Sequence, residues 1–291
     1  MNWAKAKTIL IIVFLLLNVF LFLTYSSILK SKSETDVKQL TQVLEKHNMN
    51  LAQNALKKTP VKLHSVELLN LAGDNKSCAE NFLKDGYTTV NEREFKKGSQ
   101  TLLINRSEVE YIDSDPQDFS YQDISEERAE KKVSKELTRL GIPEDTLQCV
   151  RRFHNSSDHL VLVYNLKYGD FSVFNSAVQV IVCQTGITSI KGVLLAVNET
   201  NPLDMQYEIL NSQNILLELL SNPELNDQTP QEILEVNLGY YIPKNDFVMS
   251  ADAIPAYQIM LGNGKVYYYD ARVSVPNTVR LLAVDTDVSK I

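Results

Sequence analysis

The sequence predicts an α+β protein: one N-terminal transmembrane helix, then an extracytoplasmic body of helix-plus-antiparallel-sheet units. Three observations carry this. An apolar run free of charge extends from Thr8 to Leu29. Amphipathic helical stripes then precede clusters of short, β-rich runs. The runs are separated by brief turn signals, among them Gly169-Asp170, Asn175-Ser176 and Thr185-Gly186. Turns this short join antiparallel neighbours.

The apolar run is about 22 residues, or about 33 Å as a helix, enough for a hydrocarbon core of about 30 Å. Lys5 and Lys7 precede it, whereas Lys30 and Lys32 are soon followed by Glu34 and Asp36. That asymmetry favours a cytoplasmic N-terminus and a body outside the cell membrane. A cleaved signal peptide is the rival, but Leu23-Thr-Tyr-Ser-Ser27 matches a small-x-small site poorly. The expected division is a cytoplasmic tip and anchor at 1–30, a membrane-proximal α+β unit at 31–118 and a distal α+β body at 119–291.

Composition narrows the function. The 291 residues carry a formal charge of −7, and Lys5 and Lys7 in the tip leave the body more acidic still. An acidic body disfavours nucleic acid, which needs clustered Lys and Arg. Apolar residues make up 44%, enough for an ordinary packed core. Cys78, Cys149 and Cys183 are odd in number, so no closed disulfide framework exists. Cys149 and Cys183 sit in strand-like runs where a pair is open; three buried thiols are the plainer reading.

In the body, Ser33 to Lys58 reads as a helix leaving the membrane, with Leu40, Leu44, Leu51 and Ala55 on one stripe and Pro60 as its stop. Val61 to Leu68 alternates as a strand. Cys78 to Leu83 reads as a short helix ending before Gly86. Tyr87–Val90, Thr101–Ile104 and Glu108–Ile112 read as strands, and the acidic turn Asp113 to Asp118 as a linker. The next helix has Asp123 and Glu126 in capping-box spacing, a stripe of Ala129, Val133, Leu137 and Leu140, and Gly141 and Pro143 as its end. A meander covers Val150 to Val197. The pattern then recurs: a helix over Leu203 to Leu220, a strand from Glu232 to Tyr241, and a hairpin of Ile254–Leu261 and Lys265–Ala271 about Gly262-Asn-Gly264.

No catalytic motif stands out: there is no nucleophile elbow, P-loop, His-Glu-x-x-His or dinucleotide fingerprint. His154 and His159 flank a turn, but two histidines alone make a weak metal site. Asp113, Asp115 and Asp118 lack the Gly and closing Glu of a calcium loop. In Tyr267-Tyr-Tyr269, strand geometry turns Tyr268 away from the other two, so packing explains them better than ligand stacking. No cofactor, metal or enzymatic activity is expected. The anchor's odd residue is Asn18, near the bilayer midplane, where an amide can join helices for roughly 1 kcal/mol or simply be tolerated.

The first residues bear a further likeness. Trp3, Lys7, Thr8, Ile9, Val13, Phe14, Leu15, Leu17 and Asn18 resemble the opening of the YycI family. Ile254-Pro-Ala-Tyr257 and its following hairpin are similar to the family's closing part, with Tyr257 where Trp is common and Asn2 where an acid is usual. YycI proteins are membrane-anchored regulators of the essential WalK/WalR (YycG/YycF) two-component system. The resemblance implies a non-catalytic regulator of the cell-wall sensor histidine kinase WalK/YycG. It would act with a YycH-like partner through transmembrane contacts. On a helix, Ile11, Phe14, Leu15, Asn18, Leu21 and Phe22 share one face, which is the candidate partner-binding surface. Two other classes stand beside it. An extracytoplasmic binding module for a cell-wall fragment or peptide needs a concave, aromatic-lined pocket. A tethered hydrolase needs an acid/base constellation that the sequence does not display.

Overall fold

The computed structural model describes residues 7, 11, 13–15, 17–22, 37–57, 59–117, 125–156, 158–198, 205–225, 230–243, 249–273 and 279–286. Residues 7, 11, 13–15 and 17–22 are helical. Among the described residues no helix is long and apolar enough to cross a membrane. The remainder of the predicted Thr8–Leu29 span lies outside the described residues.

Residues 37–46 are helical and bury Leu40 and Leu44. The helix was expected to run on to Lys58, and it does not. Asn48 takes φ of 57°, a left-handed turn that Asn tolerates and that ends helices. The chain leaves it as β1 (Met49–Leu51). β2 (Lys62–His64) and β3 (Val66–Asn70) divide the predicted strand at 61–68. Helix α1 (Asn75–Leu83) is capped by Asp74, which accepts hydrogen bonds from the Lys76 N–H and the Ser77 hydroxyl. It buries Cys78, Ala79, Phe82 and Leu83.

A four-strand meander follows: β4 (Thr88–Asn91), β5 (Glu94–Lys97), β6 (Gln100–Asn105) and β7 (Glu108–Asp113). Charge-rich β5 has no clear alternation and was missed from sequence; its Phe95 alone is deeply buried. Helix α2 (Glu126–Arg139) has Ser125 as N-cap without a side-chain bond. The expected capping residue, Asp123, lies outside the described residues. Glu126 and Glu127 in the first turn suit the helix dipole, and Gly141 at φ 105° permits the exit.

β8 (Leu147–Ser156), β9 (His159–Tyr168), β10 (Phe171–Ser172), β11 (Val178–Cys183), β12 (Gly186–Val193) and β13 (Leu195–Val197) form the expected meander. The predicted helix over 203–220 is a correction. Residues 206–208 are a strand, β14 (Gln206–Glu208), and helix α3 spans only Ser212–Leu220. Asn211 starts it, its side chain accepting from the Gln213 N–H, so Met205 and Ile209 stand before the helix. β15 (Gln231–Tyr241), β16 (Ser250–Leu261), β17 (Val266–Asp270) and β18 (Leu281–Asp285) complete the described chain.

Two main sheets result. The larger runs β4-β5-β6-β7-β12-β11-β9-β8, with β10 also on β9. The second runs β1-β15-β16-β17-β18, with β3 on β16 and β13 on β3. The ladder of β1 with β15 is parallel, whereas the ladders building the meanders are antiparallel. β7 pairs with β12, placing Glu110 opposite Lys191, so strands from either side of the acidic turn at 113–117 share one sheet.

Each sheet has one face covered by helices. Phe82, Val133 and Leu137 from α1 and α2 join Leu162, Val180 and Ile190 of the large sheet. Ile215, Leu216 and Leu219 from α3 join Leu40, Leu44, Tyr257 and Tyr267 in a second core. A buried Leu or Ile is worth about 1.5–3 kcal/mol, so these stripes fix both layers. Tyr267 and Tyr269 enter that second core, while Tyr268 turns to the opposite face, as strand alternation predicts.

The sheets share part of the first core, through Val66, Leu68 and Ala253, and meet closely at a corner. Val173 bridges Tyr240, and the Phe174 N–H donates to the Tyr240 carbonyl at 2.8 Å. The Asn175 amide makes two bonds to the backbone of Ile242: its Nδ2 donates to the carbonyl at 2.8 Å and its Oδ1 accepts from the N–H at 2.9 Å. A Cβ on Gly239 would lie 2.4 Å from the Ser172 carbonyl oxygen, so only glycine permits this approach.

Candidate functional site

The predicted contact residues lie on helical backbone. Ile11, Phe14, Leu15, Leu21 and Phe22 are all more than half exposed. A turn of 100° per residue keeps them within about 60° of Asn18. Exposure does not single this face out, because Val13, Leu17, Val19 and Phe20 are open to a similar degree. Asn18 has a local partner: its Nδ2 donates to the Phe14 carbonyl, one turn back, at 2.8 Å. An amide has two N–H donors and a carbonyl acceptor. The intrahelical bond uses one donor and leaves the rest of the amide facing outward.

The body holds a second feature, built where the helix-free faces of the two sheets meet. Its first lobe has a volume of about 620 Å³ and is lined by Arg151, Phe171, Phe174, Glu235, Asn237 and Gln258, among others. Its second lobe, about 600 Å³, takes in Phe153, Lys191, Tyr241, Tyr268 and Asp285. Phe174 belongs to both and forms the ridge between them. Phe174 packs on Tyr268 at 5.8 Å between ring centroids, and Tyr241 on Tyr268 at 5.1 Å.

Polar groups line the first lobe in connected order. Lys57 Nζ donates to Asn237 Oδ1, and Asn237 Nδ2 to Glu235 Oε2, both at 2.7 Å. Ser172 Oγ donates to Gln148 Oε1 at 3.1 Å. The Arg151 guanidinium lies 5.0 Å over the Phe153 ring. In the second lobe Lys191 pairs with Glu110 at 3.4 Å. Burial pushes the Tyr268 phenol up to about 12, so it is a neutral hydrogen-bonding group at physiological pH. Its hydroxyl accepts from Gln258 Nε2 at 3.3 Å.

Among the described residues, the weak metal candidates have separate partners. His159 Nδ1 lies 3.0 Å from Ser156 Oγ, and His154 faces Glu126 at 3.7 Å. Asp113 is buried, accepting from Gln100 Nε2 and the Tyr111 hydroxyl, and Asp118 lies outside the described residues. Among the described residues no group of three His, Cys, Asp or Glu side chains is placed to hold a metal ion. All three cysteines are free thiols, with Cys78 the buried one.

The inter-sheet groove was not found from sequence. Its walls draw on strands from residue 108 to residue 285, and no local spacing marks residues that meet only across two sheets. Gly239 inside a strand pattern was the one available sign, since an internal strand Gly often marks a close backbone approach.

The sequence matches no family model, and no curated protein matches it. Two solved structures align with part of this chain. One is an uncharacterized protein from Eubacterium rectale ATCC 33656, at 14% identity and TM-score 0.48, covering 82% of this chain and 88% of that one. The other is the YpeB C-terminal domain of Bacillus megaterium, at 12% identity and TM-score 0.33, covering 72% of this chain and 96% of that one.

Proposed function

We propose that this chain is a non-catalytic, membrane-anchored regulator of a cell-wall sensor histidine kinase of the WalK/YycG type. It works with a YycH-like partner, from a single N-terminal transmembrane helix with the body outside the cell. The observation that carries the reading is the helical stretch 11–22, whose described residues are apolar apart from Asn18. The family-like residues Trp3, Lys7, Phe14 and Asn18 supply the identity of the partner class.

The physics is that of helix pairing in lipid. Lipid tails are as apolar as these side chains, so hydrophobicity gives no preference for a partner helix. Shape packing along Ile11, Phe14, Leu15, Leu21 and Phe22, with the outward half of the Asn18 amide, supplies it. Regulation then requires that the helix bind one kinase state better than another.

Co-purification with the co-expressed kinase tests this. Asn18→Leu keeps the helix apolar and removes the amide; association weakens by roughly 1 kcal/mol, about fivefold. If Asn18→Leu and the double change Phe14→Ala, Phe22→Ala leave both co-purification and kinase output unchanged, the contact lies in the body instead.

A further inference from the structure

We infer that the helix face around Asn18 pairs with the same face of a second copy of this chain, as two parallel helices in the membrane with their Asn18 amides bonded to each other. The inference rests on the single-pass anchor proposed above and names a competitor for its partner-binding face.

One residue sets the frame. Apart from Asn18 the described residues from 11 to 22 are apolar, so hydrophobic pattern alone picks no face. Taken as the a position of a heptad, Asn18 puts Ile11 at the preceding a, Phe14 and Leu21 at d, and Leu15 and Phe22 at e. These five flanking side chains are more than half exposed, so the described chain leaves the seam uncovered. Helices crossing at about 20° with a left-handed twist keep such a seam in contact, and most membrane bundles have this geometry.

The amide selects the occupant. Its Nδ2 gives one N–H to the Phe14 carbonyl at 2.8 Å, which leaves the second N–H and the Oδ1 acceptor. Lipid tails and apolar helices answer neither group, and hydrocarbon offers no water in their place. Another primary amide related by a two-fold axis answers both, each donating to the other's oxygen. A single-pass anchor inserts every copy in the same direction, with Asn18 at the same depth. A second copy therefore brings the matching amide to the matching place with no shift of register. The helix of another protein must supply such a group independently. In coiled coils a lone Asn at a fixes register and strand number through the same pairing. A paired copy has its Asn18 face covered, so self-association limits how much of the chain is open to the kinase.

The test uses the full chain in a host without the sensor kinase or the YycH-like protein, co-expressed as two versions with different epitope tags. A photoreactive benzoylphenylalanine replaces one position at a time, and carbonate-washed membranes are irradiated. Adducts joining the two tags are expected at positions 14 and 21 and to be weak at 13 and 20, on the far side of the helix. With the probe at 21, Asn18→Leu lowers the adduct about fivefold, and Asn18→Gln, which keeps an amide, restores most of it. Absence of adducts between tags overturns the inference. So do equal yields all round the helix, or yields unchanged by Asn18→Leu. No kinase is present, so the regulator reading can fail without moving this result. Adducts to kinase helices in the native host, with no self-adducts here, overturn this inference and leave that reading standing.

Discussion

Single residues decide how the two halves of the body are held. Asn175 acts as a strand segment made of side-chain atoms, satisfying both backbone groups of buried Ile242. Asn175→Ala strands both groups, and a buried unsatisfied polar group costs about 1–3 kcal/mol. The expected loss is about 2–3 kcal/mol in denaturant unfolding, with Asn175→Asp intermediate because it keeps only the acceptor. A change within a few tenths of a kcal/mol would show that water replaces the amide without loss. Asn18 was legible in sequence as an odd residue, but its bond to the Phe14 carbonyl was not. Sequence spacing marks Phe14 as a neighbour on the same face; it does not reveal that the amide folds back onto its own helix.

At the scale of elements, the strongest patterns were read well and the ends were not. The Gly262-Asn-Gly264 hairpin and the Ala129, Val133, Leu137 stripe stand where periodicity puts them, because turn chemistry and burial there agree. The helices at 33–58 and 203–220 were read too long, because Leu and Ile also fit short strands, Asn48 ends the first helix early and Asn211 starts the second late. Element geometry also answers the cysteine question left open by sequence. Cys149 stands opposite Tyr164, which stands opposite Val178, whereas Cys183 is five residues further along β11. That is roughly 16 Å along the strand, far beyond disulfide reach. Thiol labelling of the native protein should modify the part-exposed Cys149 and Cys183 and spare buried Cys78, which reacts only after unfolding. A Cys149–Cys183 disulfide is not expected to form on oxidation of the native protein; a disulfide-linked Cys149–Cys183 peptide in a non-reduced digest would refute the register.

For the whole molecule, the α+β class was visible in sequence, because helical stripes and strand alternation survive as local patterns. The inter-sheet groove was not, because it arises only when both sheets are packed. The same packing sets a pH limit. Burial pushes the Cys78 thiol and the Tyr240, Tyr268 and Tyr269 phenols up to about 12. In the unfolded chain they ionise near 9.0 and 10.0. Their stabilisation is therefore complete below about pH 9 and is lost as pH rises toward about 12. The denaturant midpoint should decline over that alkaline window, in step with late tyrosinate absorbance; a midpoint unchanged to about pH 11 would contradict the burial. The central claim concerns the membrane. A cysteine-crosslinking scan over residues 11–22, in cells co-expressing the sensor kinase and a YycH-like protein, tests it most directly. Adducts to transmembrane segments of those partners are expected with helical periodicity, strongest at positions 11, 14, 15, 18, 21 and 22 and weak at 13, 16 and 20. Adducts without periodicity, or formed from the body alone, would contradict it.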